Sequence, residues 1–319
     1  MTRPTLRPDL RALDLGATLY VPATRQDLVP LANGDRWPRL RSLIFCTEDA
    51  VVPGRVDEAL VRLAGMLARL EPRGPYRFVR VRSPAVLARI LQMEHVDRID
   101  GFVLPKITTD SLGGYLHALG DDNRFWLMPT LETAEAFDQA DARALRIALS
   151  APGVRPRILA VRIGANDLMN LLGIRRSLDH TLYETAIGPT IAMLAGAFRP
   201  HGFALTAPVF EGLEHAEVLA REVRQDLDHG LFGKTAVHPT QVPVIEAVYR
   251  VTPMERDMAD QILNPAADAV FSLHGAMCEP ATHHAWAEAI VARHAVFGGT
   301  GPVTDWAGDD RADPAPATG

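Results

Sequence analysis

The sequence predicts an α/β protein, a (β/α)8 TIM barrel carrying extra C-terminal helices, and three observations predict it. Eight short segments are rich in apolar or β-branched residues, longer amphipathic stretches separate them, and polar side chains gather at the C-terminal end of one strand after another. Strands alternating with helices argue for a parallel sheet covered by helices, and a closed barrel is the natural arrangement for eight such units. No strand is followed by G-x-G-x-x-G, which argues against a dinucleotide-binding doubly wound sheet.

The strands read, in order, ATLYVP from Ala17, SLIFCTED from Ser42, YRFVRVR from Tyr76, GFVLPK from Gly101, RFWLMPTLE from Arg124, ILAVRIGAND from Ile158, FALTAPVF from Phe203 and KTAVHPTQ from Lys234. Between them lie helical stretches such as VDEALVRLAGMLARLE from Val56 and LEHAEVLAREVRQDLDHG from Leu213, the second ending on Gly230 as a C-terminal cap. From about Thr252 to Phe297 the chain reads as two or three further helices, more than a barrel needs, forming a lid or an arm on a neighbouring subunit. The Pro-, Gly-, Ala- and Asp-rich end from Thr300 reads as a disordered tail. The expected organisation is a barrel over 1–251, a helical arm over 252–297 and a tail over 298–319.

Composition narrows the function classes. A chain of 319 residues with 47% hydrophobic and 23% charged residues suits a single large barrel. A net charge of -6 gives no reason to expect nucleic acid or an anionic membrane as a partner. No apolar run reaches the roughly 20 residues that span a bilayer, and the N-terminus lacks the apolar core of a secretory signal. Two cysteines, Cys46 and Cys278, are too few for a disulfide framework and read as small buried hydrophobes. The expectation is a cytoplasmic protein. Of 33 basic residues only Lys106 and Lys234 are lysines. Two lysines surviving so strong a bias toward arginine mark places where a compact ammonium is needed, unless they are there by chance.

Barrel enzymes carry their chemistry at the C-terminal ends of the strands. Here those ends offer Glu48 and Asp49, Arg80 and Arg82, Lys106, Glu132, Asn166 and Asp167, then His238 and Gln241. Glu132 and Asp167 stand on consecutive strands, so their carboxylates can converge on a Mg²⁺, which takes few protein ligands and keeps positions for substrate and water. The competing role is capping of the helix after TLETAEAF. In FVRVR, Val79 and Val81 alternate with Arg80 and Arg82, so both arginines can look inward or over the mouth and hold a substrate carboxylate, or pair with Glu48 or Asp49. Lys106 suggests a Schiff-base amine, but neighbouring acids favour its charged form and hence an ion-pairing role. His238 reads as a general base or as a loop-fixing hydrogen bonder.

These residues resemble the HpcH/HpaI aldolase and citrate lyase β-subunit family, which includes malyl-CoA lyase-like enzymes. The resemblance rests on LYVPAT, TEDAV at 47–51, FVRVR at 78–82, GFVLPK at 101–106, TLETAEAF at 130–137, IGANDL at 163–168 and GKTAVHPTQ at 233–241. It implies Mg²⁺ on Glu132 and Asp167, and substrate oxygens on Arg80. It further implies carbon–carbon bond cleavage beside a carbonyl, often on acyl-CoA substrates, in trimers or hexamers whose C-terminal segment brings an acid to the adjacent site. In that segment GAMCEP places Glu279 where an aspartate is usual, and Arg82 stands where an asparagine is common. Arg82 predicts a smaller or more anionic substrate pocket, Cys278–Glu279 leaves the identity of the proton-handling acid open, and together the two departures suggest a divergent branch.

The expected activity is therefore a retro-aldol or retro-Claisen lyase acting on a small carboxylate-bearing substrate. Arg80, Lys106 and Glu279 carry the chemistry, Arg80, Arg82, Glu48 and Asp49 contact the substrate, and Glu132 with Asp167 holds Mg²⁺. Hydrolysis of an acyl-CoA thioester at the same site, and a silent barrel serving as an interaction component, are the alternatives.

Overall fold

The computed structural model describes residues 9–300. It contains two compact units, the first running to Val242 and the second beginning at Pro243.

In the first unit the strands are β1 (Thr18–Pro22), β2 (Ser42–Cys46), β3 (Tyr76–Arg80), β4 (Gly101–Leu104), β5 (Trp126–Leu131), β6 (Val161–Ile163), β7 (Leu205–Thr206), β8 (Leu231–Phe232) and β9 (Thr235–Ala236). Each pairs in parallel with the next through β8, and β9 pairs with β1. The eighth strand expected from Lys234 thus begins three residues earlier and is split. Gly233 at φ 72° interrupts the extended run, so its first half bonds to β7 and its second to β1. Thr18 N donates to Lys234 O at 3.0 Å and Thr235 N to Ala207 O at 3.3 Å, which closes the barrel across the split.

Alternation along the strands sends every second side chain into the lumen. Ile44, Phe78, Val103 and Met128 form a buried cluster there, with Tyr20, Tyr76 and Trp126 packed against it. Outside, the helix Val56–Leu67 buries Ala59, Leu60, Leu63, Met66 and Leu67 on one face. The helix Ala216–Asp228 ends as expected at Gly230, at φ 71° with its N–H on Leu227 O. Its buried face is unusual, because Glu222 and Asp226 lie on it beside Leu219 and Val223. Lys234 Nζ meets both acids, at 2.8 and 2.9 Å, Arg176 pairs with Glu222, and Tyr183 donates its hydroxyl to Asp226 at 2.7 Å. One of the two lysines therefore anchors the split strand to a helix through a buried ion cluster.

Over residues 252–297 the second unit carries two helices, as expected for this stretch, with a hairpin between them that was not expected. A helix, Pro253–Ile262, is followed by a hairpin of β10 (Phe271–Leu273) and β11 (Ala276–Cys278), and then by the helix Pro280–Phe297. The stretch read as helical turns back at His274 and Gly275, both at positive φ, the conformation that a two-residue hairpin turn needs. Thr252 and Glu255 cap the first helix reciprocally. Val251, Ala259, Ile262, Cys278, Ala287 and Ile290 make a separate small core. Both cysteines are free and buried, as expected. From residue 301 the tail expected to be disordered lies outside the described residues.

Candidate active site

The mouth of the barrel gathers charge from four strand ends. Arg80, the last residue of β3, reaches Glu48 at 2.8 Å, Asp49 at 3.1 Å and Glu132 at 3.0 Å through its Nη2. Lys106 Nζ meets Glu48 at 2.9 Å, Asp49 at 3.5 Å and Asp167 at 3.4 Å. Of the two readings of Arg80, the ion pair with the strand-2 acids is the one these contacts show.

Local backbone geometry sets up these contacts. Lys106 sits at φ 51°, a left-handed conformation that a side-chain-bearing residue adopts at a cost and that clusters at functional sites. That conformation lets its backbone N–H donate to Glu132 Oε1 at 2.9 Å while its ammonium turns to Glu48. Glu132 caps no helix. Thr133 and Asp138 precede the next two helical segments, and the Asp138 carboxylate takes the amides of Ala140 and Asp141. Asp167 and Asn166 belong to the first turn of the helix Ala165–Leu171 rather than to β6, which ends at Ile163. A carboxylate in that turn faces the positive end of the helix dipole.

Gly164, between β6 and this helix, was not singled out from the sequence, although a glycine where a strand turns into a helix is a visible signal. A β-carbon there would lie 2.2 Å from Glu132 Oε2, so the glycine is what leaves room for the carboxylate. Gly164→Ala is expected to displace Glu132 and to weaken Mg²⁺ binding by about 10–100-fold, read by calorimetric titration; unchanged affinity would remove this role for the glycine.

Arg82 lies beyond the end of β3 and turns to the chain rather than into the lumen. It donates to the carbonyls of Glu48 at 2.7 Å, Thr47 at 3.3 Å and Val51, stapling the loop that carries Glu48 and Asp49. His238 bonds to Thr240 at 2.8 Å, and Gln241 takes the amide of Val237 and donates to Phe210 O, which is the loop-fixing arrangement. Glu279, in the second unit, directly precedes the last helix and accepts from the Thr282 hydroxyl at 3.0 Å.

The electrostatics follow from burial and neighbours. Burial pushes the Glu132 carboxyl up, Arg80 pulls it down, and repulsion from Asp167 adds to the rise, leaving it at about 7. Burial works against the charge of Lys106 too, but Glu48, Glu132 and Asp167 outweigh it and hold the ammonium above its ordinary value. Such a lysine is a fixed cation and a poor Schiff-base nucleophile. Burial and the Asp49 carboxyl raise Glu48. Tyr115 belongs to this field, its hydroxyl pushed up to about 12 by burial and by Glu48.

Glu132 suits a cation. Its Oε1 takes Arg80 and the Lys106 amide, while among the described residues nothing donates to Oε2. A buried carboxylate with a free oxygen, repelled by a second carboxylate, is relieved by a divalent ion. Among the described residues no group of three or more His, Cys, Asp or Glu side chains forms a metal site. A Mg²⁺ held by Glu132 and Asp167 alone would keep its other positions for substrate and water, which suits that ion. Among the described residues no helix is long and apolar enough to cross a membrane.

Comparison with known proteins places the chain. The model of a family described as C-C bond lyase of the TIM-barrel fold matches residues 9–299. A (3S)-malyl-CoA thioesterase of Cereibacter sphaeroides is 27% identical over 247 residues, covering 77% of this chain and 80% of that protein. The protein CitE from Mycobacterium tuberculosis, solved with magnesium, acetoacetate and coenzyme A, superposes with a TM-score of 0.67 at 22% identity, over 89% of this chain and 99% of that one. A citrate lyase from Burkholderia xenovorans superposes with a TM-score of 0.68 at 16% identity, over 90% and 94% of the two chains. At these identities the two solved structures speak to the fold alone.

Proposed function

The chain belongs to the C–C bond lyases of the TIM-barrel fold, and from that premise we propose a Mg²⁺-dependent lyase acting on a small carboxylate-bearing hydroxy or keto acid, or on its acyl-CoA thioester. The observation that carries the proposal is the Glu132 carboxylate, one oxygen held by Arg80 and the Lys106 amide and the other free beside Asp167. Glu132 and Asp167 would hold the Mg²⁺, which would supply Lewis-acid chemistry to the oxygens of the substrate.

The chain's own residues do the rest. Arg80 and Lys106 place two permanent cations where negative charge grows on the carbonyl oxygen as the carbon–carbon bond breaks. Glu48 and Asp49 hold both cations in position, and Arg82 holds the loop carrying those acids, so the charges need not reorganise during the reaction. Cleavage of a hydroxy acid also requires a base for the hydroxyl proton. Glu279 of a neighbouring copy is proposed for that role, in a homo-oligomer.

A second reading, thioester hydrolysis at the same site, is favoured by the activity in the names of the Cereibacter relatives. Product analysis separates the two. The purified chain is incubated with malyl-CoA, other 3-hydroxyacyl-CoA thioesters and 2-keto acids, with and without Mg²⁺. Two carbon fragments are expected, and only with the metal. Free CoA with an intact hydroxy acid would establish the hydrolase instead, and a panel that emerges unchanged would sink both.

A further inference from the structure

The charged groups at the mouth are paired with opposite charges, whereas one buried cation inside the barrel is not. Arg162, in the middle of β6, is 2% exposed. Its Nη2 donates to Thr235 Oγ1 at 2.6 Å, its Nη1 approaches Met128 Sδ at 3.9 Å, and its guanidinium carbon lies 5.5 Å from the centre of the Tyr20 ring. Among the described residues no carboxylate pairs with it. On the neighbouring strands Thr130 and Thr206 stand in register with it, and both hydroxyls are buried without a hydrogen-bond partner. A guanidinium buried without a counter-ion is expensive, and the face of one aromatic ring offsets only part of that cost. A site that keeps such a group has a use for it.

The position of the group indicates that use. Glu132 follows the end of β5 two residues beyond Thr130, so Arg162, in register with Thr130, lies one layer below the strand end that carries Glu132. Tyr20 is packed on the lumen side among Ile44, Phe78, Val103 and Met128, yet is only partly buried. Among the described residues its hydroxyl has no hydrogen-bond partner. We infer that the Tyr20 hydroxyl is a hydrogen-bond donor to a substrate oxygen, and that Arg162, clamped between Thr235 and the Tyr20 ring, is the positioning residue that aims it. The inference rests on the proposed reading of the site as one for small keto or hydroxy carboxylates.

Electrostatics agree with a donor. Burial raises the phenol above its ordinary range, and the Arg162 and Arg80 guanidiniums only partly oppose it, so the hydroxyl keeps its proton at neutral pH. Arg162 ties β6 to β9 and to β1, the strands on either side of the barrel's closing seam, which fixes the ring against the lumen wall.

The test is calorimetric titration of pyruvate into the full chain at saturating MgCl₂. Tyr20→Phe is expected to weaken binding about tenfold, the size of one hydrogen bond to a charged group, while leaving Mg²⁺ affinity unchanged. Arg162→Met is expected to weaken it similarly, the double variant no more than either single one, and Arg162→Lys to recover part of the loss. Additive losses in the double variant would overturn the positioning role. Wild-type affinity in Tyr20→Phe, or no pyruvate binding by the wild-type chain, would overturn the assignment of Tyr20. If Arg162→Met does not fold, Tyr20→Phe and Arg162→Lys carry the test. The lyase reading is judged separately by its cleavage products, so continued cleavage with unchanged Tyr20→Phe affinity removes this inference and leaves that reading standing.

Discussion

Replacing Lys234 with methionine is expected to destabilise the chain by about 3–5 kcal/mol, because it strands two buried carboxylates that share one ammonium. Lys234 is fully buried and lies within 2.9 Å of both Glu222 and Asp226, and after the change Arg176 and the Leu182 amide remain to Glu222 and the Tyr183 hydroxyl to Asp226. Thermal denaturation should show a midpoint lower by about 10 °C. The deficit depends on pH in a definite direction. Burial already holds the Asp226 carboxyl above its ordinary range, and losing the ammonium pushes it further up. The folded variant then binds more protons than the unfolded chain, so its stability falls as pH rises above the ordinary aspartate range, and the gap to the wild type widens from acidic toward alkaline pH. Lys234→Arg should also destabilise, by about 1–3 kcal/mol, since a planar guanidinium must fit where a compact ammonium is packed. A variant as stable as the wild type at both ends of that pH range would show that the cluster does not hold the strand.

The second large effect is on turnover. Glu132→Ala is expected to lower kcat/KM by about 10³-fold or more, by removing the proposed metal ligand together with the acceptor shared by the Arg80 guanidinium and the Lys106 amide. Glu132→Gln separates the two contributions, because the amide oxygen can still accept from the Lys106 N–H while the charge is gone. Both variants should lose Mg²⁺ affinity, with Glu132→Gln closer to the wild type in melting midpoint. If calorimetry finds Mg²⁺ bound normally and turnover persists in either, Glu132 is not a ligand.

Much of this arrangement was legible in the sequence. Strand ends that carry acids and bases in one order after another reveal a barrel mouth, because only the C-terminal rim lets so many polar side chains meet without burying them unpaired. Lys106 could be assigned to an ion pair from its acidic neighbours alone, while for Arg80 the ion pair stood as the alternative to a substrate contact. The lysine count pointed to two special positions, and the structure finds an ion cluster at each, one at the mouth and one beneath the helix Ala216–Asp228.

What was hidden was hidden for physical reasons. Arg82 has the same spacing as an inward arginine, but β3 ends two residues before it, and alternation no longer governs where its side chain goes. Asp167 has the same neighbours whether it ends a strand or begins a helix, and the register of β6 is fixed by partners far away in sequence. The hairpin Phe271–Cys278 is too short for either period to declare itself. Arg162 gives no sign of its burial, because an arginine flanked by apolar residues reads equally well as a solvent-facing position.

The split eighth strand has a consequence for the order of assembly. The pairing that seals the lumen joins Thr18 to Thr235 and Leu19 to Ala236, the two ends of the first unit. Closing so long a loop is entropically slow, and it cannot begin until nearly all of that unit has left the ribosome. Until then the hydrophobic lumen is a curled, open sheet with two bare edges, the geometry most prone to mispairing. The buried ammonium of Lys234 sits between the two half-strands that perform this last step, so the charge cluster and the barrel seam complete each other in a single event near the end of folding.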